Sequence, residues 1–86
     1  MCTIVTKNVG NILKKMLIGR IKVLYYEGYD TLEVIIIAHG ITYNYELRNI
    51  SVLIHQGISS KTIANKIVTG YKKYLNNLFF DTARHN

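Results

Sequence analysis

The stretch "LEVIIIAHGITYNYELR", Leu32 to Arg48, constrains the fold more than any other part of the chain. Leu32, Val34, Ile36 and Ala38 share one side of an extended segment. Ile41, Tyr43, Tyr45 and Leu47 do the same after the central His39-Gly40, alternating with Thr42, Asn44, Glu46 and Arg48. A two-residue turn at His39-Gly40 pairs Ala38 with Ile41, Ile36 with Tyr43 and Val34 with Tyr45, and both apolar sets then fall on one face. His is an unusual first residue for such a turn, so a longer loop is the alternative. A helical or membrane-spanning reading would put Asn44 and Glu46 on an apolar surface. The unbroken run "VIIIA" is also far shorter than the ~20 residues a bilayer crossing needs. The stretch therefore predicts two strands.

A third strand precedes them. In "RIKVLYYEG", Ile21, Val23 and Tyr25 alternate with Arg20, Lys22, Leu24 and Tyr26, and β-branched and aromatic residues dominate. "GYDT" is a turn. The result is an antiparallel three-stranded meander with a surplus. Once Tyr25 and Val34 face the core, Lys22, Leu24 and Tyr26 lie beside Glu33, Ile35 and Ile37 on the other face. Solvated sheet faces are normally polar, so Leu24, Ile35 and Ile37 ask for a cover, either a helix or another molecule.

Helices flank the meander. Residues 4–18 read as an amphipathic helix with Val5, Val9, Ile12, Leu13, Met16 and Leu17 on one face and Gly19 as its stop. Gly10 weakens it and allows a later start. "NISVLIHQG" is a short helix with Asn49 as N-cap, Ile50, Leu53 and Ile54 as its apolar stripe and Gly57 as its end. Ser59 or Ser60 caps the last helix, "KTIANKIVTGYKKYLNNLFF". Its apolar side holds Ile63, Ala64, Ile67, Val68, Tyr71, Tyr74, Leu75, Leu78 and Phe79. The prediction is one α+β domain over residues 1–80, in the order α-β-β-β-α-α with the helices on one sheet face, and a frayed tail over 81–86.

Eighty-six residues, 49% of them hydrophobic and 19% charged, suit one small ordered domain with a modest core. The single Cys2 excludes an internal disulfide and points to a reducing, cytoplasmic setting. "MLIG" after Lys14-Lys15 is too short for a secretory signal. The net charge of +6 is segregated. Residues 1–26 carry bases and no acid, residues 27–46 carry Glu27, Asp30, Glu33 and Glu46 and no base, and residues 47–86 are basic apart from Asp81. Basic ends favour a polyanion or an acidic protein surface. The acidic middle argues against a uniform nucleic-acid clamp, and it could pair with the basic ends of the same chain or of a second copy.

"LIHQGISSKTIANKI", residues 53–67, resembles part of the helix-turn-helix of response-regulator transcription factors: a helix ending in Gly, a small apolar residue with Ser, then "K-x-I-A" opening the next helix. That family needs a further turn and a recognition helix, which Thr69-Gly70 and the residues after it would supply. Here the turn is one residue short and the apolar phase runs through Gly70 without a slip. Gly-Ile-Ser-Ser therefore reads as a helix C-cap followed by an N-cap. The order helix, three strands, helix is similar to that of double-stranded-RNA-binding domains, with Ser60-Lys61 at the helix start as the local match. That resemblance implies phosphate contact there, although the extra short helix departs from the family pattern.

Chemistry-bearing constellations are sparse. His39, His55 and His85 fall in a turn, a short helix and the tail, and with one Cys they make no metal-ligand spacing. Glu33 faces Glu46 across the ladder, an unfavourable pair around which no cleft-forming loop is expected. Ser59-Ser60 has no neighbouring base, and no Gly-rich phosphate loop exists. The expectation is a non-enzyme with no cofactor, no metal and no small-molecule substrate. Tyr43, Tyr45, Tyr71 and Tyr74 fall on core faces, whereas Tyr26 and Tyr29 are surface candidates.

Two readings follow. The first is a small regulatory protein that binds and modulates another protein or nucleoprotein. Leu24, Tyr26, Ile35 and Ile37 form its interface, most simply as a homodimer. The Ile-, Asn-, Lys- and Tyr-rich composition resembles that of phage or mobile-element accessory proteins, a class that includes inhibitors of host defence. The second is DNA or RNA binding with little base specificity, in which Lys61, Lys66, Lys72 and Lys73 meet phosphates.

Overall fold

The structure, a computed structural model, describes the backbone of residues 2–84 and side chains as far as residue 79. The chain runs α1 (Cys2–Met16), β1 (Arg20–Tyr26), β2 (Thr31–Ala38), β3 (Ile41–Arg48), α2 (Ile50–His55) and α3 (Ser60–Arg84), with one 3-10 turn, Glu27–Tyr29, between β1 and β2. The strands form an antiparallel sheet in the order β1-β2-β3. The α+β fold, its element order and the placement of the helices on one sheet face all agree with the sequence reading.

The β2–β3 register pairs Ala38 with Ile41, Ile36 with Tyr43 and Val34 with Tyr45, as the alternation requires. The turn is the tight two-residue one. His39 and Gly40 both have positive φ, 53° and 74°. That is the twist a two-residue hairpin demands, and His39 adopts it without being Asn or Gly.

All three helices lie over the face that carries Val34 and Ile36. Val9, Leu13, Leu32, Val34, Ile36, Ile50, Ile63, Ala64 and Ile67 are sealed from solvent there. α1 begins at Cys2 despite Gly10, because Gly10 lies against β1: a Cβ at that position would sit 3.6 Å from Val23 Cγ2. The helix ends at Met16, earlier than expected, and Met16 is half exposed rather than on the packed face. Gly19 serves a different purpose from a helix stop. It has φ +123°, and its Cβ would lie 2.6 Å from the Ile37 carbonyl oxygen. Only a residue without a side chain lets the chain enter β1 so close to β2.

α3 is unbroken from Ser60 to Arg84, so Thr69-Gly70 makes no second turn and the helix-turn-helix reading stops at the cap junction. The Ser59 hydroxyl accepts the Thr62 N–H at 3.2 Å, the N-cap expected at this junction. Gly70 instead lies close against the tyrosines of β3, where a Cβ would lie 2.9 Å from Tyr43 Oη. The Tyr43 ring packs against Tyr71 and Tyr74, with ring centroids 5.4 and 5.0 Å away. Phe79 is exposed rather than on the packed side. The helix continues past residue 80 as far as Arg84, over part of the expected tail, while residues 85 and 86 lie outside the described part.

Candidate interaction surface

With the helices on one side, none of the described residues covers the opposite sheet face. Alternation and register place its side chains in four rows across β1, β2 and β3. They are Tyr26–Thr31–Arg48, Leu24–Glu33–Glu46, Lys22–Ile35–Asn44 and Arg20–Ile37–Thr42. Leu24, Tyr26, Ile35 and Ile37, the four residues singled out from the sequence, all lie on this face. Ile37 is 41% exposed and Tyr26 43%, whereas Leu24 and Ile35 are half-buried by their neighbours.

The two ends of the face differ in charge. At one end Tyr26, Tyr29, Thr31, Glu33, Glu46 and Arg48 line an open cleft of about 590 Å³. Sequence reading expected no cleft at the Glu33–Glu46 pair. The Glu27–Tyr29 turn builds one by bringing Tyr29 beside the pair, held by the Thr31 hydroxyl donating to the Tyr29 carbonyl at 2.8 Å. The Tyr26 hydroxyl donates to Glu33 Oε1 at 2.9 Å, and that hydrogen bond, to a carboxylate, holds the phenol above the usual tyrosine range. Arg48 reaches Glu46 only at 3.9 Å, with both side chains largely in solvent, a pair worth little. At the other end Lys14, Arg20 and Lys22 surround a second open cleft of about 660 Å³ against Ile35 and Ile37.

A polar cluster at the sheet's rim escaped the sequence reading. Asp30 sits at φ 48° after the 3-10 turn, and its carboxylate accepts the Ser51 N–H at 3.1 Å, the Ser51 hydroxyl and the Tyr25 hydroxyl at 2.9 Å. The Asp30 carbonyl also accepts the Ile50 N–H at 3.1 Å. Asp30 thus caps α2 from a distance. Asn49, the expected cap, occupies the right position, but its side chain makes no capping bond. The Ser51 hydroxyl above all, then Tyr25, holds the Asp30 carboxyl below its ordinary range. Contact with the Cys2 thiol and then with Asp30 pushes the Tyr25 phenol well above its own.

Lys61, Lys66, Lys72 and Lys73 are all exposed on α3 and have no carboxylate partner among the described residues. Helical geometry divides them into two rows about 120° apart, Lys61 with Lys72 and Lys66 with Lys73, rather than one stripe. Tyr43, Tyr45 and Tyr71 pack into the core as expected, Tyr74 is half-buried against the Tyr43 ring, and Tyr29 is 83% exposed. Among the described residues no three His, Cys, Asp or Glu side chains converge, and no helix is long and apolar enough to cross a membrane. Comparison with protein-family models, curated proteins and solved structures finds no match to this chain.

Proposed function

We propose that the protein acts by macromolecular contact rather than by catalysis, as a small regulatory protein that binds and modulates a protein or nucleoprotein. Its working surface is the open sheet face. The observation that carries this reading is the aliphatic strip Leu24–Ile35–Ile37, which no described helix covers while the apolar residues of the opposite face, from Ile21 and Val23 to Tyr43 and Tyr45, pack into the core. A sheet face that serves only solvation has no use for three aliphatic side chains flanked by charge of both signs. The composition and small size support an accessory protein of a phage or mobile element, for which inhibition of a host defence system is the natural role.

Affinity capture from the native cell tests it, comparing the wild type with Ile35→Asp/Ile37→Asp and with Lys66→Glu/Lys73→Glu. Both pairs are chosen to leave the sealed core intact, which circular dichroism checks. Loss of the captured macromolecule from the sheet variant alone supports the reading, and retention by that variant defeats it.

The lysines of α3, which have no carboxylate partner among the described residues and no acid in the sequence between Ser60 and Phe80, favour nucleic-acid contact as the second reading. Phosphate binding through four lysines weakens steeply with salt, with a log–log slope near −3 to −4 on duplex DNA. Labelled DNA and RNA that both stay free at about 50 mM salt and micromolar protein would remove it.

A further inference from the structure

The open face is polarised along its strands. Arg20 and Lys22 lie at the end that carries Ile37, and Glu33 and Glu46 lie toward the end that carries Tyr26, with Arg48 alone as a base in the outermost row there. No close ion pair among the described residues neutralises either end. Among the described residues the one ion pair on the face is the loose Glu46–Arg48 contact, and Glu33 is served by a neutral phenol. A partner that fits must therefore bring both signs in the reverse order, with an aliphatic centre.

We propose that the occupant of this face is a second copy of the chain. The two sheets stack about a two-fold axis lying across the strands, between the Leu24–Glu33–Glu46 row and the Lys22–Ile35–Asn44 row. The proposal rests on the open face being the working surface and names what binds there. Rotation about that axis lays each row over its counterpart counted from the opposite end. Arg20 of the second copy comes over Tyr26, a cation over an aromatic face. Lys22 of the second copy comes over Leu24 and diagonal to Glu33, within reach of its carboxylate. Leu24 and Ile35 of both copies then gather round the axis, with the Glu33 stem lying over Ile35 of the second copy, and Ile37 comes over the already buried Thr31. Each basic end enters the other copy's acidic, phenol-lined cleft.

The charges select this axis over the alternative. A two-fold axis running along the strands would set Glu33 against Glu33, and like charges directly opposed are destabilising. The area sets the strength. Three strands at ~4.8 Å spacing and eight residues at ~3.4 Å make a plane of roughly 390 Å². Counted over both copies that is about 780 Å², below the ~1,200 Å² at which standard specific interfaces begin, so the dimer is a weak and reversible one. The product has four layers, helices outside and two sheets within, and it presents two copies of α3 outward.

Sedimentation equilibrium on two charge-reversed proteins decides the matter. Arg20→Glu/Lys22→Glu and Glu33→Lys/Glu46→Lys should each self-associate at least tenfold more weakly than wild type, and an equimolar mixture of the two should form a heterodimer. Glu46→Lys alone, at an exposed position, stands in if the double acidic variant unfolds. A wild type that remains monomeric at about 100 µM overturns the proposal. So does a dimer indifferent to both reversals, or a mixture that fails to pair. A monomeric wild type whose capture of a cellular partner still depends on Ile35 and Ile37 would sink the second copy while sparing the broader function. Loss of that dependence would sink the broader function instead.

Discussion

Gly70→Ala is the sharpest probe of how α3 meets the sheet. In an exposed helix interior, Ala is about 1 kcal/mol better than Gly. Here the new methyl would lie 2.9 Å from Tyr43 Oη and 3.6 Å from Tyr45 Cε2. The second distance is ordinary contact and the first is not. Tyr43 is hemmed in, with its ring 5.4 Å from Tyr71, 5.0 Å from Tyr74 and 6.3 Å from Tyr45, so its hydroxyl cannot retreat without unsettling three aromatic contacts. Overpacking of this kind costs about 1–3 kcal/mol, which outweighs the helix gain and leaves a net loss of about 1 kcal/mol. In a Tyr43→Phe background the offending oxygen is gone, and the same substitution should stabilise by about 0.5–1 kcal/mol. Urea unfolding followed by circular dichroism measures all four corners of the cycle. The expected coupling is near 2 kcal/mol, and a loss of 1 kcal/mol lowers Tm by about 4–8 °C in a domain of this size. If Gly70→Ala changes stability equally in both backgrounds, within about 0.5 kcal/mol, the Tyr43 hydroxyl is not what requires a glycine there.

Gly19→Ala combines a left-handed φ of +123° with a clash against the Ile37 carbonyl oxygen, which is backbone and cannot move aside. A loss of about 3 kcal/mol is expected in urea titration, and a loss under 1 kcal/mol would contradict the close approach. Asp30→Asn should speed exchange of the Ser51 amide and lower Tm at neutral pH. The Asp30 carboxyl is depressed in the fold, so its contribution is present above the ordinary carboxylate value and disappears as pH falls through the folded one. The gap between wild type and variant must therefore close in acid, and a gap of constant size at every pH would refute the charged cap. The Tyr25 phenol is raised, so its share is full below about pH 10 and lost only as pH rises through its folded value.

The hairpin was legible because two independent constraints, turn length and apolar alternation, agree on one register from Ala38–Ile41 to Leu32–Leu47. The surplus face was legible for the same reason: once the register is set, parity alone sends Leu24, Ile35 and Ile37 to the side away from Val34. Gly70 was not. On a helix a glycine reads as weakness or a break, and its real role depends on a tyrosine 27 positions earlier that parity places on the core face but not against any particular turn of α3. Asp30 was missed because a cap is sought next to its helix, and here it arrives from 21 positions upstream through the fold. Met16 and Phe79 were overassigned to the core because periodicity marks a face without marking where the sheet beneath it ends.

The segregated charge is the part of the sequence whose meaning depends most on the fold. A basic–acidic–basic chain can neutralise itself in principle, but this architecture separates the partners. The lysines of α3 point outward from the helical layer, so the whole sheet stands between them and Glu33 and Glu46. The bases of β1 share the acids' face, yet among the described residues no ion pair joins Arg20 or Lys22 to either acid. A purely acidic partner would satisfy Arg20 and Lys22 and repel the Glu33–Glu46 end, and a purely basic one would do the reverse. Only a surface with both signs in opposite order gains at both ends, and the chain supplies such a surface in every second copy of itself.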